Sequence, residues 1–335
     1  MMMHLRGLLF LGAVALAPIA CGGGNGAQQP QPTLASASAS ASTTAAAQVD
    51  WEKDPLALFP SGALAMFTVD LRAFYASPSA GPAAAQLAEK YFPIGSEAGF
   101  SASRDLDRVT GGVYSMQGVD VLTVLVGRFD AAKIDALAKN RTQTHAGGVV
   151  AAQQYAGRTL YSVADFGFTI VTPHLVLAGT KTTIKRGLDR MRDNASRGGT
   201  HDAPKWMLDT LATPNAAGAL AVDTKTIPLS QMTGGFPLKG TDGMTALRLL
   251  GNFQSPGMHV AGAATYADEA HAKAGADGLK SILTSPAFTV LTSALGVSIQ
   301  NGNATAVQSD AQISFTVDDT SLKNLLTRLP SAFGQ

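Results

Sequence analysis

The sequence predicts an α+β fold made of two similar halves, each a mostly antiparallel sheet with helices on one face. Three observations lead there. From Ala63 onward, short apolar runs alternate with turn residues, as neighbouring antiparallel strands require. Segments with apolar residues spaced three and four apart interrupt these runs. The order strand, hairpin, helix, meander, helix also occurs twice.

In the first half, residues 63–70 read as a strand ending at Asp70, and residues 82–92 as a helix with Pro82 in its first turn. Gly112 to Met116 and Val119 to Phe129 form a hairpin around Gln117-Gly118. Asp130 caps a helix with Ile134, Leu137 and Ala138 on its apolar stripe. A meander follows over 149–155, 158–163, 167–172 and 174–179, with turns at Ala156-Gly157, Asp165-Phe166-Gly167 and Pro173. Thr180 then caps a helix that turns Ile184, Leu188 and Met191 inward. In the second half, residues 217–223 form the first strand and 244–254 and 257–266 the pair. Asp268 caps a helix running to about Leu283. Strands at 296–301, 303–309 and 311–317 follow, with a tight turn at Asn301-Gly302. A last helix, 318–329, carries Leu322, Leu325, Leu326 and Leu329.

Two local matches support duplication. Gly62-Ala63-Leu64-Ala65 returns as Gly218-Ala219-Leu220-Ala221, and each first strand ends in Val-Asp (Val69-Asp70, Val222-Asp223). The closing helices align without gaps at an offset of 138, with Lys185, Leu188 and Arg190 over Lys323, Leu326 and Arg328. If the helices cover only one face of each sheet, the other face needs a partner: the sheet of the other half, or a ligand.

Composition narrows the function classes. Charged residues are 15% of the 335, and Lys plus Arg (25) nearly equals Asp plus Glu (24). That balance argues against a nucleic-acid partner held through phosphate neutralisation. The 46% hydrophobic content includes 56 Ala, which bury little area each. The single cysteine excludes an internal disulfide and a thiolate zinc site.

That cysteine has a particular place. Arg6 precedes an apolar run from Leu8 to Ala20. As a helix, these 13 residues span about 20 Å, short of the roughly 30 Å hydrocarbon core, so they read as a signal-peptide core and not a permanent span. Cys21 follows directly, preceded by Ile19-Ala20 and followed by Gly22-Gly23-Gly24. This resembles a bacterial lipoprotein precursor, with Pro18 standing where Leu is usual. The resemblance implies cleavage before Cys21, acylation of its thiol and, with Gly22 in place of Asp, export to the outer membrane. Ordinary secretory cleavage after Ala15-Leu16-Ala17 is the competing reading. With residues 1–20 removed, Arg6 goes too, leaving 24 basic and 24 acidic side chains. Residues 22–48 carry no charge, and Ala35 to Ala47 is Ala/Ser/Thr repetition that cannot bury enough area to order itself. Such a coil reaches about 30 Å end to end. The expected organisation is a signal peptide (1–20), a lipidated linker (21–50) and two α+β repeats (51–200 and 201–335).

No motif marks a reaction. The histidines (His4, His145, His174, His201, His259, His271) show no zinc-binding spacing, and no phosphate loop, dinucleotide fingerprint or hydrolase elbow occurs. No cofactor or metal is expected. Asp165-Phe166-Gly167 matches a kinase triplet without the accompanying loops, and reads as a turn. Asp70 and Asp223 invite comparison with a symmetric carboxylate pair, although strand-end Asp is ordinarily a cap. The helix from Lys181 is rich in base (Lys185, Arg186, Arg190, Arg192, then Arg197), which suits either anionic headgroups or a solvated face, the second reading being preferred. The sequence reads as a membrane-anchored, non-catalytic envelope lipoprotein that binds or scaffolds. An apolar groove for lipid, peptide or partner is expected, because apolar strands such as 119–126 and 167–172 outnumber the helices available to cover them. A carboxylate-based hydrolase is the rival class.

Overall fold

The structure is a computed structural model that describes residues 50–115, 120–164, 166–197, 200–226, 240–254, 257–294 and 296–332. The signal peptide, Cys21 and the tether lie outside the described residues, as do Gln117-Gly118 and Asp165.

The chain is α+β with one antiparallel sheet of twelve strands. The strands are β1 (Ala65–Asp70), β2 (Leu106–Ser115), β3 (Asp120–Gly127), β4 (Ala151–Tyr155), β5 (Arg158–Val163), β6 (Phe166–Thr172), β7 (Leu175–Thr180), β8 (Gly218–Asp223), β9 (Met244–Gln254), β10 (Gly257–Tyr266), β11 (Ile299–Val307) and β12 (Asp310–Asp318). Their spatial order is β11-β12-β10-β9-β8-β1-β2-β3-β7-β6-β5-β4. Outward from the central β1–β8 pair, β1-β2-β3-β7-β6 on one side answers β8-β9-β10-β12-β11 on the other. The first half adds the β4–β5 hairpin at its edge.

Nine helices are described: α1 (Leu71–Ala76), α2 (Gly81–Tyr91), α3 (Ala102–Asp105), α4 (Ala131–Asn140), α5 (Lys181–Arg197), α6 (Lys205–Leu211), α7 (Glu269–Leu283), α8 (Pro286–Ala294) and α9 (Asp319–Ala332). The caps expected from sequence are in place. Asp130 accepts from the Lys133 N–H and Asp268 from the His271 N–H, and Thr180 Oγ1 accepts from the Thr183 N–H. Each satisfies an amide that the first helical turn leaves without a backbone partner.

Register separates a true repeat signal from a chance one. β1 pairs with β8 so that Phe67 faces Leu220 and Val69 faces Gly218. Matching the halves through Val69-Asp70 and Val222-Asp223 places Phe67 on Leu220, both on the same sheet face. The Gly-Ala-Leu-Ala match is three residues out of step. It would lay Ala65, which faces one core, over Ala221, which faces the other.

Two cores sandwich the sheet. One face carries Phe67, Val69, Val109, Leu125 and Leu220 beneath α1, α2, α4 and α9, with a satellite of Ala264, Tyr266 and Ile313 under α7. The opposite face carries Met66, Leu122, Val124, Leu175 and Leu177 beneath α5, α6 and the turn at residues 55–58. Apart from α6, which packs over Ala219 and Ala221 of β8, the described helices of the second half lie on one face, while the first half is covered on both. Strands 119–126 and 167–172, expected to be short of cover, are filled by these two layers.

The asymmetry resides in the closing helices. α5 and α9 correspond at the offset of 138, including their caps, since Asp318 accepts from the Ser321 N–H as Thr180 does from Thr183. Yet α5 lies on one face and α9 on the other. β7 has six residues and β12 nine. Three extra residues, an odd number, bring the chain out on the opposite face of a period-two strand. The faces differ to match. Leu122, Val124, Leu175 and Leu177 under α5 correspond by register to Ala261, Ala263, Asp310 and Gln312, which no described helix covers.

Two expected turns are corrected. Asn301-Gly302 does not close a hairpin. It sits inside β11 as an irregularity where the β12 register shifts, with Asn301 at φ 53°. The hairpin turns instead at Gln308-Ser309, with Gln308 at φ 55°, so two strands stand where three were expected. Phe166 and Gly167 belong to β6, paired with Val163 and Ser162, and the turn falls one step earlier at Ala164 (φ 53°).

Candidate functional site

The first half contains a void between α2, α4 and the sheet, lined by Phe92, Ile94, Leu125, Phe129, Phe166 and Phe168. Its open volume is about 10 Å³, about the least that admits a single water. Phe100 fills the approach, with its ring 4.8 Å from Phe92 and 5.7 Å from Phe129. The void is a packing defect between aromatic rings, far below the size of a lipid or peptide side chain.

The basic helix α5 spends its charges on the body. Arg190, only 5% exposed, pairs with Asp202 at 2.6 Å and donates to the Thr200 carbonyl. Arg186 lies over the Tyr114 ring at 4.8 Å and donates to the Ser61 carbonyl, and Lys185 sits over Tyr155. Arg192 pairs with Asp189 and Asp193. The Lys185 and Arg186 contacts fasten α5 to the sheet and to Ser61, near the first described residues, where Trp51 packs on the same core and Glu52 accepts from Thr172.

The denser polar cluster was not singled out in sequence, although its signal is compact: Arg104-Asp105-Leu106-Asp107-Arg108, charges on both sides of one buried leucine. It forms where α3 enters β2. Arg104 donates to both oxygens of Asp105, at 2.9 and 2.5 Å, and Arg128 approaches to 3.5 Å. Arg72 binds Asp107 at 2.5 Å and, together with Arg128, donates to the Arg104 carbonyl. The Arg104 hydrogen bonds, then the Ser101 N–H and the Arg128 charge, hold the Asp105 carboxyl below the usual range. Burial works against ionisation of Glu89 and of Glu97. Hydrogen bonds from Ser101 and Ser103 nevertheless bring Glu89 below its ordinary value, and backbone N–H groups with His145 do so for Glu97. Carboxylates stabilised as anions are anchors, whereas a general acid at neutral pH needs its pKa raised.

The Asp105 cluster gives a pH prediction. A depressed carboxyl stabilises the fold at every pH above its unfolded value, near 3.9, and loses that contribution as pH falls through the lower folded value. Asp105→Asn should cost about 1–2 kcal/mol at neutral pH, a modest figure because Arg104 and Arg128 are more than half exposed. In urea titrations the gap between wild type and variant should shrink as pH drops below about 4. A gap independent of pH would show that the effect is steric.

The remaining candidates do not converge. Asp70 accepts from the Ala73 N–H and pairs with Arg108, while Asp223 closes a turn with Lys225 and Thr226. The two lie at opposite ends of the β1–β8 pair, roughly 20 Å apart at 3.3 Å per residue. His145 faces Glu97, His201 faces Asp54, His271 faces its own cap Asp268, and His174 faces the Gly127 carbonyl. His259 stands mid-strand between Asn252 and Thr316, seven residues along β10 from the strand end that leads to α7. Among the described residues no group of three His, Cys, Asp or Glu is placed to hold a metal.

Beyond α6, the sheet face of the second half opposite α9 carries no helix among the described residues. It presents Arg248, Asn252, His259, Ala261, Ala263, Gln312, Ser314 and Thr316 in register. Its Arg248–Asp310 ion pair, at 2.9 Å, is bridged by Thr265, which donates to Asp310 at 2.7 Å. Small and polar side chains fit a solvated antiparallel face. No described helix is long and apolar enough to cross a membrane.

No family model matches the chain, and no curated protein matches it. Among solved structures, crystal forms I, III and IV of the protein TP0453 are similar in architecture. They align over 83%, 83% and 85% of this chain and 97%, 98% and 99% of theirs, with 12%, 12% and 11% identity and TM-scores of 0.49, 0.46 and 0.49. At that identity the likeness concerns the arrangement of strands and helices, and no role passes from TP0453 to this chain.

Proposed function

We propose that the chain is a bacterial envelope lipoprotein, exported, acylated at Cys21 and held to the outer membrane by that anchor, with a non-catalytic body that binds or scaffolds another envelope component. The observation that carries this reading is Cys21 directly behind the apolar run from Leu8 to Ala20. Acyl chains there supply the membrane affinity, at about 0.8 kcal/mol per buried methylene. The uncharged residues 22–48 set the stand-off, and the body needs no apolar surface of its own. Supporting the non-catalytic part, Asp105, Glu89, Glu97 and the basic residues Lys185, Arg186 and Arg190 are engaged in ion pairs, hydrogen bonds or cation–ring contacts, and the aromatic void admits no substrate.

Intact mass and detergent partition test the anchor. Wild type should begin at Cys21, carry the mass of acyl chains and enter the detergent phase. Cys21→Ala should lose that mass and stay aqueous. A wild-type chain that begins at Pro18 without fatty chains would make it a plain secreted protein. Turnover of a glycan, ester or peptide substrate by the purified body would favour the hydrolase reading.

A further inference from the structure

The internal repeat shows what one edge of the sheet lacks. β6 and β11 are equivalent by register: Thr169 answers Thr305 and Phe168 answers Ala304. β6 is paired on its outer side by β5, through Tyr161↔Phe168, Ser162↔Gly167 and Val163↔Phe166, and Thr169 donates across to the Thr159 carbonyl at 2.8 Å. β11 ends the sheet, and among the described residues no strand lies beyond it. The side chains of β11 itself offer no electrostatic guard there. No charged side chain occurs from Ser281 to Ser309, and β11 contains no proline. Natural edges are ordinarily blunted by such residues.

We propose that β11 is a self-association edge, where two copies of this chain pair antiparallel about a two-fold axis centred on Thr305. The hydrogen-bonding parity fits. The two-residue turn at Gln308-Ser309 makes Val307 and Asp310 a bonded pair, so Thr305 and Val307 bond inward to β12 while Ala304 and Ala306 turn their N–H and C=O groups outward. Centring on Thr305 sets Ala304 of one copy against Ala306 of the other, both with outward groups. Asn303 then meets Val307, and Thr305 meets itself. No like charges oppose each other, and a Thr–Thr cross-strand pair is favourable. Val307, 46% exposed, gains cover. Two-fold pairing also closes the assembly, whereas joining β11 to the uncharged β4 edge of another copy would repeat without end. The molecule already contains the same kind of junction, since β1 and β8 join its halves antiparallel, edge to edge.

The test uses the full exported chain with Cys21→Ser, so that an added cysteine is the only thiol and the result does not depend on the lipid anchor. This chain should sediment as a dimer at micromolar concentration. Adding Thr305→Cys should give a disulfide-linked dimer on mild oxidation, because a directly opposed non-bonded pair has its Cα atoms about 4.5 Å apart, within disulfide reach. Ala306→Pro removes an outward N–H at a position where an edge strand tolerates proline, and should return the chain to monomer with its circular dichroism unchanged. Gln154→Pro in β4 should leave the dimer intact. A monomeric parent chain, an uncrosslinked Thr305→Cys, a dimer that survives Ala306→Pro or a ladder of larger species lost on Gln154→Pro would each overturn the proposal.

Discussion

Leu177→Gln is expected to destabilise the protein by about 4 kcal/mol and to loosen α5 from the sheet. Leu177 is fully buried against Leu122, Ile184 and Leu188, and Gly187 lets the helix come close enough that an added Cβ would lie 2.8 Å from a Leu177 methyl. Glutamine has similar bulk, but it buries an amide among hydrocarbon with no partner in reach. The same exchange already stands in the other half, where Gln312 occupies the equivalent register position on an uncovered face. Gln312→Leu, on that exposed position, should shift stability by less than about 0.5 kcal/mol. Urea unfolding of both variants measures this, and hydrogen exchange should report lost protection in α5 for Leu177→Gln alone. Equal effects at the two positions would mean that the face polarity does not decide where the closing helix docks.

The second large effect is expected at the centre of the sheet. Phe67 lies across Gly111 on the neighbouring strand, where an added Cβ would fall 2.3 Å from the ring. Phe67→Ala should cost about 3–5 kcal/mol through lost burial and an incompletely closed cavity. Gly111→Val should cost about 1–3 kcal/mol by overpacking. Because each change relieves what the other creates, the double variant should be more stable than the sum of the two losses predicts, by about 1 kcal/mol or more. Strict additivity in a denaturant double-mutant cycle would show that the ring and the glycine are not coupled.

What was readable in sequence follows the range of the interaction that decides it. Asp130, Asp268 and Thr180 each cap an amide three residues away, and all three were legible. β9 and β10 were legible to the residue because turn residues bound both apolar runs, Asp242-Gly243 before β9, Ser255-Pro256 between the two and Ala267-Asp268 after β10. Asn301-Gly302 misled because it favours left-handed backbone in a bulge as readily as in a hairpin, while the true turn, Gln308-Ser309, carries no strong signal. α1 and α6, six and seven residues long, are too short to show a helical period. The side of the sheet that α5 and α9 choose depends on strand-length parity and on faces assembled from residues 50 or more positions apart, which no local window holds. Cys21 is singled out in sequence by its position alone and lies outside the described residues. The Asp105 cluster was written in five adjacent residues, but its meaning depended on Arg72 and Arg128 arriving from other elements.

The central β1–β8 seam constrains how the chain reaches its native state. Synthesis delivers Asp70 well over a hundred residues before Gly218. Until the latter arrives, one flank of β1 stays bare, an invitation to mispairing during biogenesis. Sealing that flank joins segments far apart in the polypeptide, a slow step by its topology. The interval between the two deliveries is when a chaperone's protection would count most.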